Sequence, residues 1–145
     1  MQSKKKIMTK EQKEILLKDL CARLPYGVKC TYYDKCIDEE EQGTITGMQN
    51  DTYFVIDGVC IDVENVKPYM FPISSMNEEQ RNEYNRLRGV LPIPSYYCDE
   101  LGEIVEEGDL HETVASIDYL YENHFDVHGL IHMGLAIDAT NKNIY

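Results

Sequence analysis

The sequence predicts an α+β fold: an N-terminal helix, a small SH3-like antiparallel β-barrel and a helical C-terminal half. Three observations predict it. Residues 9–24 hold a capped stripe of leucines at helical spacing. Residues 26–73 hold short alternating segments punctuated by turn residues. Residues 75–145 return mainly to helical spacing. With 145 residues, 43% of them hydrophobic and 28% charged, the chain has the composition of one globular domain with a real core.

Residues 1–8 contain Lys4-Lys5-Lys6 and read as a flexible extension. Thr9 and Gln12 have capping-box spacing, and Leu16, Leu17, Leu20 and Leu24 form one stripe up to Pro25. Helix 1 is expected over 10–23. Val28, Cys30 and Tyr32 alternate with Lys29, Thr31 and Tyr33, as in a half-buried strand. Residues 34–42 (DKCIDEEEQ) read as an exposed acidic loop. Strands are expected over 43–49 and 52–57, joined by a Gln-Asn-Asp-Thr turn. Asp57-Gly58 signals a type I′ hairpin, because both central residues of that turn need positive φ. Val59, Ile61 and Val63 then alternate inward as a fourth strand.

Four short strands cannot bury two faces as a flat sheet. They must curl into a barrel or lay one face on helix 1. Val66-Lys67-Pro68-Tyr69 reads as a tight turn, and residues 70–73 as a closing edge strand. Ser75 and Glu78 have capping-box spacing and open helix 2, expected over 76–88 with Gly89 as its stop. Residues 90–110 are irregular, with a minor hairpin through Leu101-Gly102. Helix 3 is expected over 111–123, with Val114, Ile117, Leu120 and Tyr121 inward. Asp126 caps a short turn over 127–133 that Gly134 closes, and Leu135-Ala136-Ile137 docks on the core.

Charge narrows the function. Residues 1–30 carry eight Lys/Arg and three acids, whereas residues 31–145 carry six Lys/Arg and twenty-three acids. From Gly89 to Asn141 there are eleven acids and no Lys or Arg. Phosphate backbones are bound by Lys and Arg displacing counterions, so direct nucleic-acid binding is disfavoured. The acids either solvate the surface or meet a basic partner, including by mimicking DNA. No run of about 18 apolar residues crosses a membrane, and no apolar stretch follows the N-terminal lysines as in a secretory signal. Five cysteines without C-x-x-C read as reduced thiols, which points to a cytoplasmic protein.

Catalytic signals are sparse. His124, His128 and His132 have i, i+4, i+8 spacing, which would align three imidazoles for zinc on an unbroken helix. Asp126 and Gly129 argue for a break between them, so no metal or cofactor is expected. His111-Glu112 lacks the second histidine of a metalloprotease motif, and no nucleophile elbow, P-loop or dinucleotide fingerprint occurs. A cysteine–histidine pair remains open, since its members meet only in space. The better lead is tyrosine, with eleven in a chain that lacks tryptophan. Tyr32, Tyr33, Tyr69, Tyr96 and Tyr97 fall at strand ends and in the proline-containing loop, and tyrosine suits interfaces through its area and polar tip. These five are the expected partner-binding residues.

Three blocks, MTKEQKEILLKDLCARLPYGVK (8–29), VKPYMFPISSMNEEQ (66–80) and NHFDVHGLIHMGLAIDAT (123–140), resemble a set of small uncharacterised proteins. These are encoded in gut Bacteroides genomes and in their phages and mobile elements. The resemblance covers a little under half the chain and implies a genomic context without a mechanism. It also implies that Met1–Ile7 precedes the shared start at Met8. The function expected is therefore a non-catalytic interaction module that binds another protein, such as a host or phage defence component. The alternatives are an acidic DNA mimic that inhibits a DNA-binding protein, and a small metal-dependent or cysteine enzyme.

Overall fold

A computed structural model describes residues 8–88 and 110–145. It opens with α1 (Lys10–Arg23), capped as the sequence indicates. Thr9 Oγ1 accepts from the Gln12 N–H, and Gln12 Oε1 accepts from the Thr9 N–H, both at 3.1 Å. A 3-10 turn, Leu24–Tyr26, carries Pro25 where no amide donor is required. Gly27 follows at φ +67°, which glycine adopts without a Cβ penalty.

The strands are β1 (Lys29–Asp34), β2 (Glu39–Gln49), β3 (Tyr53–Ile56), β4 (Val59–Asp62), β5 (Val66–Met70) and β6 (Ile137–Asp138). They form a six-stranded mixed sheet in the order β4-β3-β2-β1-β5-β6, antiparallel except where β6 pairs parallel to β5. The sheet is not closed, so the expected barrel does not form. β4 and β6 are left as its edges. β2 is shared between two pairings, with β1 over Glu39–Thr44 and with β3 over Ile45–Gln49. A bulge lies between Ile45 and Gly47. Asp57 and Gly58, at φ +48° and +85°, make the β3–β4 turn with the positive angles expected of that dipeptide.

Two strand assignments need correction. Glu39–Gln42 belong to β2 and pair with Thr31–Asp34, where an acidic loop was expected. Val66–Met70 is strand β5, between β1 and β6, where a tight turn over Val66–Tyr69 and a closing edge strand over 70–73 were expected. Pro68 is tolerated there because β6 pairs only with Tyr69 and Met70 and ends short of it. A 3-10 turn over Val63–Asn65, capped by Asp62 Oδ1 at 3.1 Å from the Glu64 N–H, feeds the chain into β5.

Helix α2 spans Glu78–Leu87 and α3 spans Leu110–Glu122. The cap of α2 is Asn77 with Gln80 as its reciprocal partner. Ser75, the expected cap, instead donates its hydroxyl to Pro72 O at 2.6 Å. In α3, Leu120 is buried as expected and Tyr121 half-buried, but Val114 and Ile117 are 52% and 39% exposed and Ser116 turns inward. Gly89 and residues 90–109, including the Leu101-Gly102 hairpin, lie outside the described residues.

Leu16 and Leu20 of α1 pack on Val28, Cys30, Ile45, Phe54, Ile56, Ile61, Val63, Val66 and Met70 to make the main core. A second cluster joins Met76, Leu120 and Phe125. After α3 the chain turns at His124, φ +64°. Asp126 then receives the Leu130 and Ile131 N–H groups, each at 2.9 Å, so its carboxylate caps the short turn over 127–133 that the sequence indicates. Leu135 and Ala136 dock on the core as the sequence indicates. Tyr145 closes the fold: its hydroxyl accepts from the Lys29 N–H at 2.9 Å and donates to Tyr69 O at 3.0 Å.

Candidate interaction surface

Of the five sequence-predicted tyrosines, the three among the described residues, Tyr32, Tyr33 and Tyr69, do not share one exposed surface. Tyr32 is 4% exposed and Tyr69 6% exposed. Strand alternation puts Tyr32 on the core side of β1 and Tyr33 on the opposite side. The Tyr32 hydroxyl donates to Glu41 Oε2 at 3.2 Å, and burial holds its pKa above the ordinary phenol value. The Tyr69 hydroxyl accepts from Gln42 Nε2 at 3.1 Å. Tyr33 is half-buried, and its hydroxyl donates to Asp38 across the β1–β2 turn. Tyr96 and Tyr97 lie outside the described residues. Of the described three, Tyr33 is thus the one with its ring partly in water.

Tyr33 lies on the most distinctive exposed feature, the end of the β1–β2 hairpin. Glu39, Glu40, Glu41 and Gln42 are all exposed, although successive residues of a strand point to opposite faces. This end of β2 therefore has water on both sides and is held by its pairing with β1. Asp38 takes a positive φ of 51°, and Asp34 Oδ1 accepts the Cys36 N–H at 2.9 Å, which fixes the turn. The ribbon so formed carries Asp34, Asp38, Glu39, Glu40 and Glu41, and its register puts Glu40 beside Tyr33 on one face and Glu41 and Glu39 beside Tyr32 and Asp34 on the other.

The histidines do not converge. His124 stacks on Tyr145 with ring centroids 3.5 Å apart, and burial, then the Arg23 and Lys29 charges, lowers its pKa to about 4. His128 Nδ1 lies 2.9 Å from Asp19 Oδ1, and His132 is exposed. Among the described residues no group of three His, Cys, Asp or Glu side chains is arranged to hold a metal ion. Cys30 is buried and its thiol is pushed up to about 12 by burial and by Asp57. Cys21 Sγ contacts Met48 Sδ at 3.5 Å, and Cys60 Sγ donates to Gln49 Oε1 at 2.7 Å. None of these thiol contacts is with a histidine.

A feature the sequence reading passed over is the buried pair Asp19–Arg23. Arg23 Nε donates to Asp19 Oδ2 at 2.6 Å and Nη2 to Asp19 Oδ1 at 3.1 Å and to Phe125 O at 2.6 Å. Its Cζ sits 4.8 Å from the Tyr121 ring centroid. This pair ties α1 to the turn after α3 and orients His128. A polar cleft of about 480 Å³ also lies between α2 and α3, but its Arg86 is already paired with Glu83 at 2.6 Å. No helix among the described residues is long and apolar enough to cross a membrane. Comparison with protein-family models, with curated proteins and with solved structures finds no match.

Proposed function

We propose that the chain is a non-catalytic, cytoplasmic protein-interaction module of phage or mobile-element origin, acting on a host or phage defence component. We place its partner contact on the β1–β2 ribbon. One observation carries this reading: the ribbon's β2 end has both faces in water and contributes nothing apolar to the core. An isolated two-stranded ribbon is marginally stable in water, so such an end gains most when a partner covers it. Five carboxylates spread over both faces of the ribbon, with a half-buried tyrosine on one of them, suit a basic protein surface, with charge supplying steering and the ring supplying area.

β1–β5 are read as an SH3-like arrangement, supported by the long bulged β2 shared between two sub-sheets. The 3-10 turn before β5 and the pairing of β5 with β1 support it as well. The non-catalytic reading rests on the sequence, which carries no recognisable catalytic motif. A second reading, mimicry of DNA toward a DNA-binding protein, is favoured by the same carboxylates held at strand spacing.

The test is affinity capture from a native host with the wild-type chain and with the Glu39→Lys/Glu40→Lys/Glu41→Lys variant. Wild type is expected to retain a protein that the variant loses, with retention falling as salt shortens the screening length to about 8 Å. Equal retention by both chains would refute the ribbon. Displacement of the captured protein by duplex DNA would select mimicry over an interface away from its DNA site.

A further inference from the structure

A second surface, at the base of the ribbon, has the opposite chemistry. Cys30 and Tyr32 face the core, so alternation sends Lys29 and Thr31 to the other side of β1. The register sets Thr44 opposite Lys29, and Gln42 and Lys67 opposite Thr31 on its two sides. Tyr69, two residues beyond Lys67, shares that face. Here a cleft of about 300 Å³ opens, lined by Lys29, Gln42, Thr44, Tyr69 and Asn143 together with Cys30, Gly43 and Ile144. That volume is at the small end of ligand sites.

The polar inventory of the cleft is unusual for this chain. The net charge is −12, yet no aspartate or glutamate lines the cleft. Neither Lys29 nor Lys67 has an ion-pair partner among the described residues. The Tyr69 hydroxyl accepts from Gln42, and among the described residues its own proton has no acceptor. Tyr69 is nearly enclosed and is held at its carbonyl by Tyr145, so this hydroxyl is fixed in place. One ammonium, one phenol proton, one hydroxyl and two amides therefore converge without an acid to take them up.

We propose that this cleft binds a carboxylate group, with Lys29 supplying charge and the Tyr69 hydroxyl a directed hydrogen bond. Lys67 adds to the local positive potential. A singly charged planar anion fits better than phosphate. The cleft has no helix N-terminus, a ready-made site for phosphate. The surrounding negative field also opposes a dianion more strongly than a monoanion. The carboxylate belongs either to a small free acid or to an acidic side chain of another protein.

The experiment follows backbone amide shifts of the isotope-labelled chain at constant ionic strength. Sodium acetate is one probe; a blocked glutamate-containing peptide, with its glutamine counterpart as control, is the other. The account expects saturable shifts at Lys29, Gly43, Thr44 and Asn143, weakened about tenfold by Lys29→Gln and by Tyr69→Phe. Unchanged core amides such as that of Phe54 show that the variants remain folded. Saturation by acetate identifies a small acid, and saturation by the glutamate peptide alone identifies a protein side chain. No saturable shift with either probe, or binding unaltered in both variants, would overturn the assignment.

Discussion

Asp19 and Arg23 are fully buried, and a bidentate contact plus the Phe125 carbonyl are what make that burial tolerable. Removing one member of a buried pair strands the other charge away from water. Arg23→Leu is therefore expected to cost about 3–5 kcal/mol in denaturant unfolding. The Asp19→Leu/Arg23→Leu double variant should recover part of that loss, because no lone charge remains. His124 gives a pH signature. Its ordinary value is 6.5 and burial lowers it to about 4, so between these values the unfolded chain binds a proton that the folded chain refuses. Stability from this residue is complete above pH 6.5 and declines as the pH falls toward 4. Melting temperatures across that window should fall less for His124→Phe than for wild type. Parallel declines would remove His124 as the cause.

At the scale of elements, the β3–β4 turn is the most local feature and the easiest to break. Gly58 sits at φ +85°, and a β-branched side chain resists that angle. Gly58→Val should destabilise by roughly 1–3 kcal/mol, and an unchanged melting temperature would contradict the turn. Ile117 provides the contrast. It is 39% exposed, so Ile117→Ser should stay within about 0.5 kcal/mol of wild type by the same measurement.

These elements also show what the sequence could reveal. The Thr9 box and the Asp57-Gly58 turn were legible because a few adjacent residues decide them. Glu39–Gln42 could not be read as strand, since three glutamates and a glutamine carry no alternation and only pairing with β1 makes them extended. The spacing of α3 was correct, but which of its faces turns inward depends on where Phe125 and Met76 sit. Asp19 and Arg23 at i, i+4 look like a surface pair until the turn after α3 covers them. Tyr32 and Tyr69 looked available for a partner, because their burial depends on the strand register and on a tail that closes through Tyr145. The donor-rich cleft is equally nonlocal, assembled by matching Lys29 with Thr44 and Thr31 with Lys67.

At the scale of the molecule, a chain of net charge −12 carries, among its described residues, both an acidic ribbon and a small donor-rich cleft. If the ribbon is the contact, charge governs encounter, and the association rate should fall with salt more than the dissociation rate rises. Stopped-flow kinetics with the captured partner would show this. An interface anchored mainly by apolar side chains would leave the association rate nearly level.

Hydrogen exchange of the free chain and of its complex tests the ribbon most directly. The end of a two-stranded ribbon frays and exchanges readily when nothing covers it. The account expects amides across 33–40, the part of the hairpin paired on one side alone, to slow on complex formation, while those of α3 change little. Slowing confined to α3 or to the β4 edge, with the ribbon exchanging as fast as in the free chain, would contradict it.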